Sequence, residues 1–343
     1  MKHLRTPLVL AAILATLGGV AYWDEIASKK EEDQKKSQNK VFSGTWEPKV
    51  IRFQSHTDKT VTDVTLEKSD AGSWVITSPI TTKADTYETA KLWETIRDYQ
   101  FEKEITDSKE RWAEFGLAEP KTTIELKNGD QTFSFYLGDK APLGYSVYVR
   151  TSSSNKVMIG SQFVVMPFSK KLFDLRAKSI AEIPADTLAK LSYEAPSGPA
   201  LNFEKKEGTW TLLGRTEQKV NPDSLLDFIA TLNRENAVEF VDTPSADLQN
   251  ALGRPVLPSK VIAKVRWELT SGGTGSLTFV ENDEAVLAYE KLDLRVAKLR
   301  KEFGAKLVKT ADDFLANGGQ ESHDSAGPKA SEAIPPQPET KHM

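Results

Sequence analysis

The chain has 343 residues, of which 39% are hydrophobic and 27% are charged, a balance that favours packed cores and excludes disorder throughout. Its 45 basic and 49 acidic residues give a net charge of -4, so it lacks the basic excess typical of nucleic-acid binding. There is no cysteine, which excludes disulfides, thiolate nucleophiles and cysteine-bound metals. The histidines are too widely separated to indicate a metal site or a catalytic triad: His3, His56, His323 and His342.

The N-terminus carries an uncharged segment that predicts a membrane span. Residues 7–23 contain no charged side chain and would extend about 25 Å as a helix, close to the thickness of a bilayer core. Tyr22 and Trp23 end the segment, where aromatic rings favour the membrane interface. We therefore expect a retained signal anchor. A cleaved signal peptide is the alternative, because Gly19-Val20-Ala21 offers small residues for cleavage.

Charges on the two sides of the span leave its orientation open. Lys2 and Arg5 precede it, but five lysines follow it within about 20 residues, and the positive-inside rule applied to all of them favours the reverse direction. We give more weight to the nearest flank and expect residues 1–6 in the cytoplasm and the body outside. Residues 24–42 predict a charged stalk or a plain solvated linker, and residues 317–343 predict a disordered tail.

Between the stalk and the tail, the same signals occur twice, which predicts a domain duplication with copies over 43–180 and 181–316. The matching features at an offset of 136 residues are Gly72–Ile76 with Gly208–Leu212, the predicted N-caps Asp85 and Asn221, and the helix positions Ala90, Leu92, Trp93 and Ile96 with Leu226, Phe228, Ile229 and Leu232. Phe173–Arg176 also resembles Leu292–Arg295, at a different spacing of 119 residues.

Within each copy, hairpins surround one long helix, which predicts antiparallel α+β modules rather than parallel βαβ units. The predicted strands of the first copy are Thr60–Lys68, Trp74–Thr77, 121–127, Gln131–Leu137, Tyr145–Arg150 and Lys156–Ile159, and its helices are Thr86–Phe101 and Ser169–Arg176. The predicted elements of the second copy are strands Lys190–Glu194, Leu201–Lys205, Thr209–Leu213, 259–270, 276–281 and 285–290 and the helix Pro222–Arg234. The expected core anchors are Trp74, Trp93, Trp210 and Phe228.

Several side-chain groups invite a catalytic interpretation, and each has a simpler structural one. Gly144–Tyr148 lacks the second glycine of a nucleophile elbow, and Gly272–Gly275 lacks the lysine and helix of a phosphate-binding loop. Carboxylates that we expect on a solvated surface are Glu102, Glu104, Asp107, Glu110, Asp312 and Asp313. We therefore predict no catalytic, cofactor-binding or metal-binding residues and no enzymatic activity, and we assign no ligand-binding residues.

The order of motifs resembles the bacterial family called domain of unknown function 4340. After the span, the stalk and a G-x-W hairpin, the motifs that carry the resemblance are Glu114–Pro120 (EFGLAEP), Tyr136–Asp139 (YLGD) and Asp174–Lys178 (DLRAK). The second copy matches more loosely, because Leu252–Pro255 (LGRP) departs from the G-L-x-x-P spacing.

The resemblance implies a membrane-anchored bacterial protein encoded beside ABC-type transporters such as those of the gliding-motility group. We expect a non-enzymatic, single-pass inner-membrane protein with a duplicated periplasmic body, acting as an accessory component of such a complex. Its expected partners are the permease and ATPase subunits and the membrane, and neither cofactors nor nucleic acid are expected. The alternative is a module that binds envelope polysaccharide or a small ligand in the cleft between the copies. An envelope hydrolase, the third hypothesis, would need two carboxylates facing each other in a pocket.

Overall fold

The computed structural model describes residues 23, 39–57, 60–142, 144–242, 260–289 and 296–316. The chain divides into two compact units between Lys178 and Ser179, two residues before the expected boundary. Each unit holds an antiparallel sheet and a few helices, so the expected α+β class is confirmed. Apart from Trp23, the predicted span lies outside the described residues, as do residues 24–38 of the stalk and the whole predicted tail. Among the described helices, none combines the length and the apolar character that crossing a bilayer requires.

The first unit is built around a sheet with nine described strands, in the order β4-β3-β2-β1-β6-β7-β8-β9-β5. The strands are β1 (Val50–Thr57), β2 (Thr60–Lys68), β3 (Trp74–Ser78), β4 (Thr82–Lys83), β5 (Phe101–Thr106), β6 (Thr122–Asn128), β7 (Gln131–Lys140), β8 (Ser146–Thr151) and β9 (Val157–Ser161). The helices are α1 (Thr86–Asp98), α2 (Val165–Phe168) and α3 (Leu172–Leu175), with 3-10 turns at Lys109–Phe115 and Gln162–Val164.

The second unit has a sheet with eight described strands, in the order β12-β11-β10-β14-β15-β16-β17-β13. The strands are β10 (Leu188–Glu194), β11 (Leu201–Lys206), β12 (Thr209–Leu212), β13 (Glu239–Val241), β14 (Lys260–Leu269), β15 (Thr274–Glu281), β16 (Val286–Tyr289) and β17 (Val296–Leu299). The helices are α4 (Pro222–Arg234) and α5 (Phe303–Leu307), with a 3-10 turn at Ala311–Phe314.

The two sheets follow the same strand order. Apart from the short β4 of the first unit, three strands precede the long helix in each, the next strand joins the far edge, and four sequential strands fill the space between. β1, β2 and β3 thus correspond to β10, β11 and β12, β5 corresponds to β13, and β6–β9 correspond to β14–β17. The counterpart of the short strand β4 is an isolated bridge between Thr211 and Lys219.

In each unit, a corresponding hydrogen bond joins the start of the long helix to a segment near the end of the unit. The Asp85 N–H donates to the Leu175 carbonyl, and the Asn221 N–H donates to the Phe314 carbonyl, both at 2.8 Å. The segment that corresponds to Phe173–Arg176 is therefore the turn that contains Phe314. Leu292–Arg295, which resembles it in sequence, lies outside the described residues.

The long helices begin at their predicted N-caps. The Asp85 carboxylate accepts a hydrogen bond from the Glu88 N–H at 3.0 Å, and the Asn221 side chain caps α4 in the same way. α4 has its predicted bounds, but α1 ends three residues before the expected Phe101. The chain leaves the helix at Tyr99, which is extended, because the residues that follow form β5 and pair with β9.

Both cores contain side chains from the sheet and the long helix. Large side chains with less than 2% exposure include Phe53, Phe135, Phe168, Tyr193, Phe203, Phe279 and Phe314. Of the predicted anchors, Trp210 and Phe228 are buried, whereas Trp74 and Trp93 are partly buried at the border of the core. In α4 the buried position is Leu225 rather than the predicted Leu226, which is 37% exposed.

Candidate functional site

Two of the family-like motifs meet in the first unit. The 3-10 turn Lys109–Phe115 ends at Gly116 in the left-handed conformation, with φ of 67°. This turn directs Phe115 and Leu117 into a small apolar cluster with Val157, separate from the main core. Gly138 of β7 lies against the turn, where a Cβ atom would stand 2.2 Å from the Phe115 carbonyl oxygen. Only glycine permits this approach, so the two motifs form one packed element.

Beside this element, the guanidinium of Arg150 lies between two aromatic rings. Its central carbon is 3.6 Å from the centre of the Tyr136 ring and 4.0 Å from that of Trp112. Its Nε donates to the Leu117 carbonyl at 3.2 Å, and the Trp112 indole donates to the Asn155 carbonyl at 2.9 Å. Burial lowers the pKa of Arg150, but a guanidinium remains charged throughout the physiological range.

We call Trp112, Tyr136 and Arg150 the arginine stack. Packing a cation against two aromatic rings gains cation–π energy. The sequence interpretation missed the stack, although Tyr136 and Arg150 are direct cross-strand partners on β7 and β8. Their positions on neighbouring predicted strands could have indicated that Tyr136 and Arg150 contact each other. Such an arrangement is suited to holding a rigid surface, and it presents no nucleophile or acid–base pair.

A groove lies across the outer face of the second sheet. It has a volume of about 450 Å³ and crosses β11, β10, β14 and β15. The strand register places the side chains that line the groove in two rows on one face of the sheet. The buried Leu191 and Tyr193 point to the other face. The outward-facing lining residues are Lys190, Ser192, Asn202, Leu213, Arg266, Glu268, Thr274 and Ser276.

The groove presents hydrogen-bonding groups of mixed charge. On one side Lys190 pairs with Glu268, with an N–O distance of 3.1 Å. On the other, the Arg266 guanidinium is 3.9 Å from the Glu194 carboxylate. Hydroxyl and amide groups lie between the charged groups, and Leu213 is 51% exposed at one end. This lining can bind a polar ligand through hydrogen bonds.

The carboxylates noted in the sequence do not converge on a site. Glu104 accepts a hydrogen bond from Lys156 at 2.7 Å, and Glu110 accepts one from Ser108 at 2.5 Å. Asp313 caps the N-terminus of its 3-10 turn. Over the described ranges, His, Asp and Glu side chains form no group of three or more that could hold a metal ion.

Gly272–Gly275 links β14 to β15 and runs into the second of these strands, and Gly144–Tyr148 leads into β8. Both segments thus belong to the antiparallel sheets. Gly275 also accommodates the Trp267 ring, since a Cβ atom at Gly275 would stand 2.2 Å from Cζ2 of that ring.

These features define an α+β protein of two antiparallel units with matching strand order. A family model described as a domain of unknown function (DUF4340) matches residues 74–252, just over half of the chain. The chain belongs to this family, so the resemblance read from its motifs is confirmed. The matched segment begins at β3 and includes α4. No curated protein and no solved structure gives a significant match.

Proposed function

We propose that this protein is a non-enzymatic, membrane-anchored accessory component of an ABC-type transporter complex. The observation that carries the proposal is an uncharged segment at residues 7–23, joined by a charged stalk to two units with the same strand order. A membrane anchor followed by two β-rich units would hold protein surfaces beside a membrane complex. The family resemblance adds the ABC-type permease and ATPase as the expected partners.

The proposal includes a topology and an origin for the two units. Residues 1–6 lie in the cytoplasm, residues 7–23 cross the bacterial inner membrane as a retained anchor, and the two units occupy the periplasm. The units arose by duplication of one antiparallel module. This origin is supported by the shared strand order and by the corresponding hydrogen bonds at Asp85 and Asn221.

The main test is purification of the full-length chain from its native membranes in mild detergent, followed by mass spectrometry. We expect an ABC permease and its ATPase in stoichiometric amounts. Recovery of the chain alone, under conditions that keep a known membrane complex of the same cells intact, would overturn the accessory role.

The membrane topology can be tested directly with single introduced cysteines, because the chain contains no cysteine of its own that a thiol reagent would label. A Ser153→Cys variant places a thiol in the exposed turn between β8 and β9, and a His3→Cys variant, which keeps Lys2 and Arg5, is the matched control. A membrane-impermeant maleimide should label the first variant in spheroplasts and the second only after lysis. The reverse pattern would place the units in the cytoplasm and overturn the topology.

The groove of the second unit favours a second candidate function, the binding of an envelope saccharide or a small polar ligand. Its hydroxyl, amide and charged groups can hydrogen-bond to sugar hydroxyls. The test is calorimetric titration of the detergent-solubilised chain with soluble muropeptides. Asn202→Trp would fill the groove and abolish binding, whereas Glu284→Trp, in the exposed turn between β15 and β16, would not. No heat of binding with the unmodified chain would reject this candidate for muropeptides.

A further inference from the structure

Three large apolar side chains are exposed together at one end of the first sheet. Tyr145 is 74% exposed, Phe163 63% and Met166 62%. Tyr145 precedes β8 and Phe163 follows β9, and these strands pair so that Ser146 lies opposite Ser161. We call Tyr145, Phe163 and Met166 the apolar end.

Local structure holds these side chains outward. The Gln162 N–H donates to the Tyr145 carbonyl at 2.8 Å, which joins the two segments. In the following helical turns, Val164 and Phe168 are buried, with exposures of 2% and 0%. Burial of one side of these turns leaves Phe163 and Met166 facing solvent. Large exposed apolar side chains grouped in this way indicate a contact surface.

The chain enters the first unit at the same end. The Val41 N–H donates to the Tyr99 carbonyl at 3.2 Å, and the Phe101 N–H donates to the Asn39 carbonyl at 2.9 Å. The Tyr99 hydroxyl in turn donates to the Ser161 carbonyl at 3.2 Å. Residues 39–41 therefore lie beside the end of β9. The uncharged segment at residues 7–23 precedes them by a short stretch of sequence, so a membrane anchor would bring the chain to the body at the apolar end.

Positive side chains accompany the apolar end. Lys140 is exposed at the end of β7, and Lys171 is exposed just after the turn that carries Met166. Lys170 pairs with Glu88, and Lys121 pairs with Asp139 at 2.9 Å, so these two carboxylates near the apolar end are matched by lysines, whereas Glu102 is exposed near Tyr99. Aromatic rings flanked by lysines are typical of surfaces that sit among lipid headgroups, where the rings favour the interface and the amines attract anionic lipids.

We propose that the apolar end contacts the surface of an anionic membrane and seats the first unit against the bilayer. This inference rests on the proposed membrane anchor and adds a second, peripheral contact to it. The contact would hold the first sheet at a defined orientation to the membrane.

The test uses the full-length chain in vesicles of phosphatidylethanolamine and phosphatidylglycerol that contain a lipid with a nitroxide on its headgroup. Phe163→Cys carries an environment-sensitive fluorophore, and Ser153→Cys carries it at the other end of the same hairpin. The two positions are about 20 Å apart along the strands. An interfacial side chain sits about 5–10 Å into the headgroup region, so we expect about twofold or greater quenching at 163 relative to 153.

A second variant tests whether the apolar side chains themselves hold the first unit at the lipid surface, rather than lying near it by chance. With the fluorophore at Met166→Cys, the added change Phe163→Asp should reduce quenching to the level seen at 153. Vesicles of phosphatidylcholine alone should give weaker quenching at 163, because the lysines then face no anionic headgroups.

Flotation of the same samples distinguishes the two proposals. Chains that float with the vesicles but show equal quenching at 163 and 153 would overturn the apolar-end contact and leave the anchor standing. A blue-shifted emission at 163 without lipid quenching would overturn it in favour of a protein occupant. Chains that do not float would overturn the membrane anchor of the proposed function.

Discussion

Tyr136 and Arg150 stand directly opposite each other on β7 and β8, and the guanidinium carbon lies 3.6 Å from the centre of the phenol ring. Replacing Arg150 by Lys keeps the charge but removes the planar group that fills the space between Tyr136 and Trp112. We expect Arg150→Lys to lower the free energy of unfolding by about 1 kcal/mol, measured by urea denaturation with tryptophan fluorescence.

The matched control is Arg266→Lys, because Arg266 is exposed on the second sheet. That change should alter the free energy of unfolding by less than about 0.5 kcal/mol. If the Arg150 variant were as stable as the unmodified chain, the arginine stack would contribute nothing to folding.

A second prediction concerns the close approach of Gly138 to the turn at Phe115. A methyl group at Gly138 would meet both the Phe115 carbonyl and the Leu117 side chain, so the turn and β7 must separate. We expect Gly138→Ala to destabilise the first unit by about 1–3 kcal/mol, measured by chemical denaturation. Gly273→Ala is the control, because its Cβ would make only ordinary contacts, the nearest at 3.4 Å. Equal stability of the two variants would contradict this account.

A third prediction uses the corresponding N-caps of the long helices. Asn221→Ala removes the side chain that accepts from the Asp223 and Ser224 N–H groups and should cost about 1 kcal/mol. Asn221→Asp should retain most of the stability, because a carboxylate accepts the same hydrogen bonds. Thermal unfolding followed by circular dichroism measures both variants. Asp85→Ala should cost a similar amount, and no loss in either alanine variant would show that the caps are dispensable.

A fourth prediction concerns acid stability. Hydrogen bonds from Arg52 and Gln54 lower the pKa of Asp63 below its ordinary value. The folded state thus binds this proton more weakly than the unfolded chain does. The ionised carboxylate stabilises folding above pH ~4, and the contribution is lost as the pH falls through the lowered pKa of the folded state.

Asp63→Asn removes this ionisation and should flatten the loss of stability between pH 5 and pH 2 relative to the unmodified chain, a window of about three units. Denaturant titrations across that range measure the effect. Asp70→Asn, an exposed change in the turn between β2 and β3, is the comparison variant. Identical pH profiles for Asp63→Asn and the unmodified chain would refute the role of Asp63.

Several elements could be predicted from the sequence because their signals are local. The hairpin of β2 and β3 follows from alternating side chains around a glycine turn, and the sheet pairs Lys68 with Trp74. α4 has its predicted bounds because Asn221 and Pro222 mark its start. Each signal lies within a few residues of the element that it specifies.

Two of the missed strands were missed for different reasons: β1 carries a local signal, whereas β5 depends on a distant partner. β1 lies in the interior of the first sheet, and its buried Ile51 and Phe53 alternate with outward polar residues, a strand signal that the interpretation overlooked. Three of the six residues of β5 are charged, and the sequence pattern places its first residue, Phe101, in the preceding helix. β5 is a strand because its backbone pairs with β9, where Phe101 lies opposite Gly160.

Residues that are adjacent in the chain carry enough information to predict the family, the α+β class, the main hairpins and the starts of the long helices. The arginine stack, the groove of the second sheet and the exposed apolar end depend instead on contacts between residues that are distant in the chain. In the stack, Trp112 and Arg150 are far apart in the chain and meet because β7 and β8 pair beside the turn at Phe115. Pairing across a sheet is set by burial and hydrogen bonding summed over many strands, which no single segment encodes.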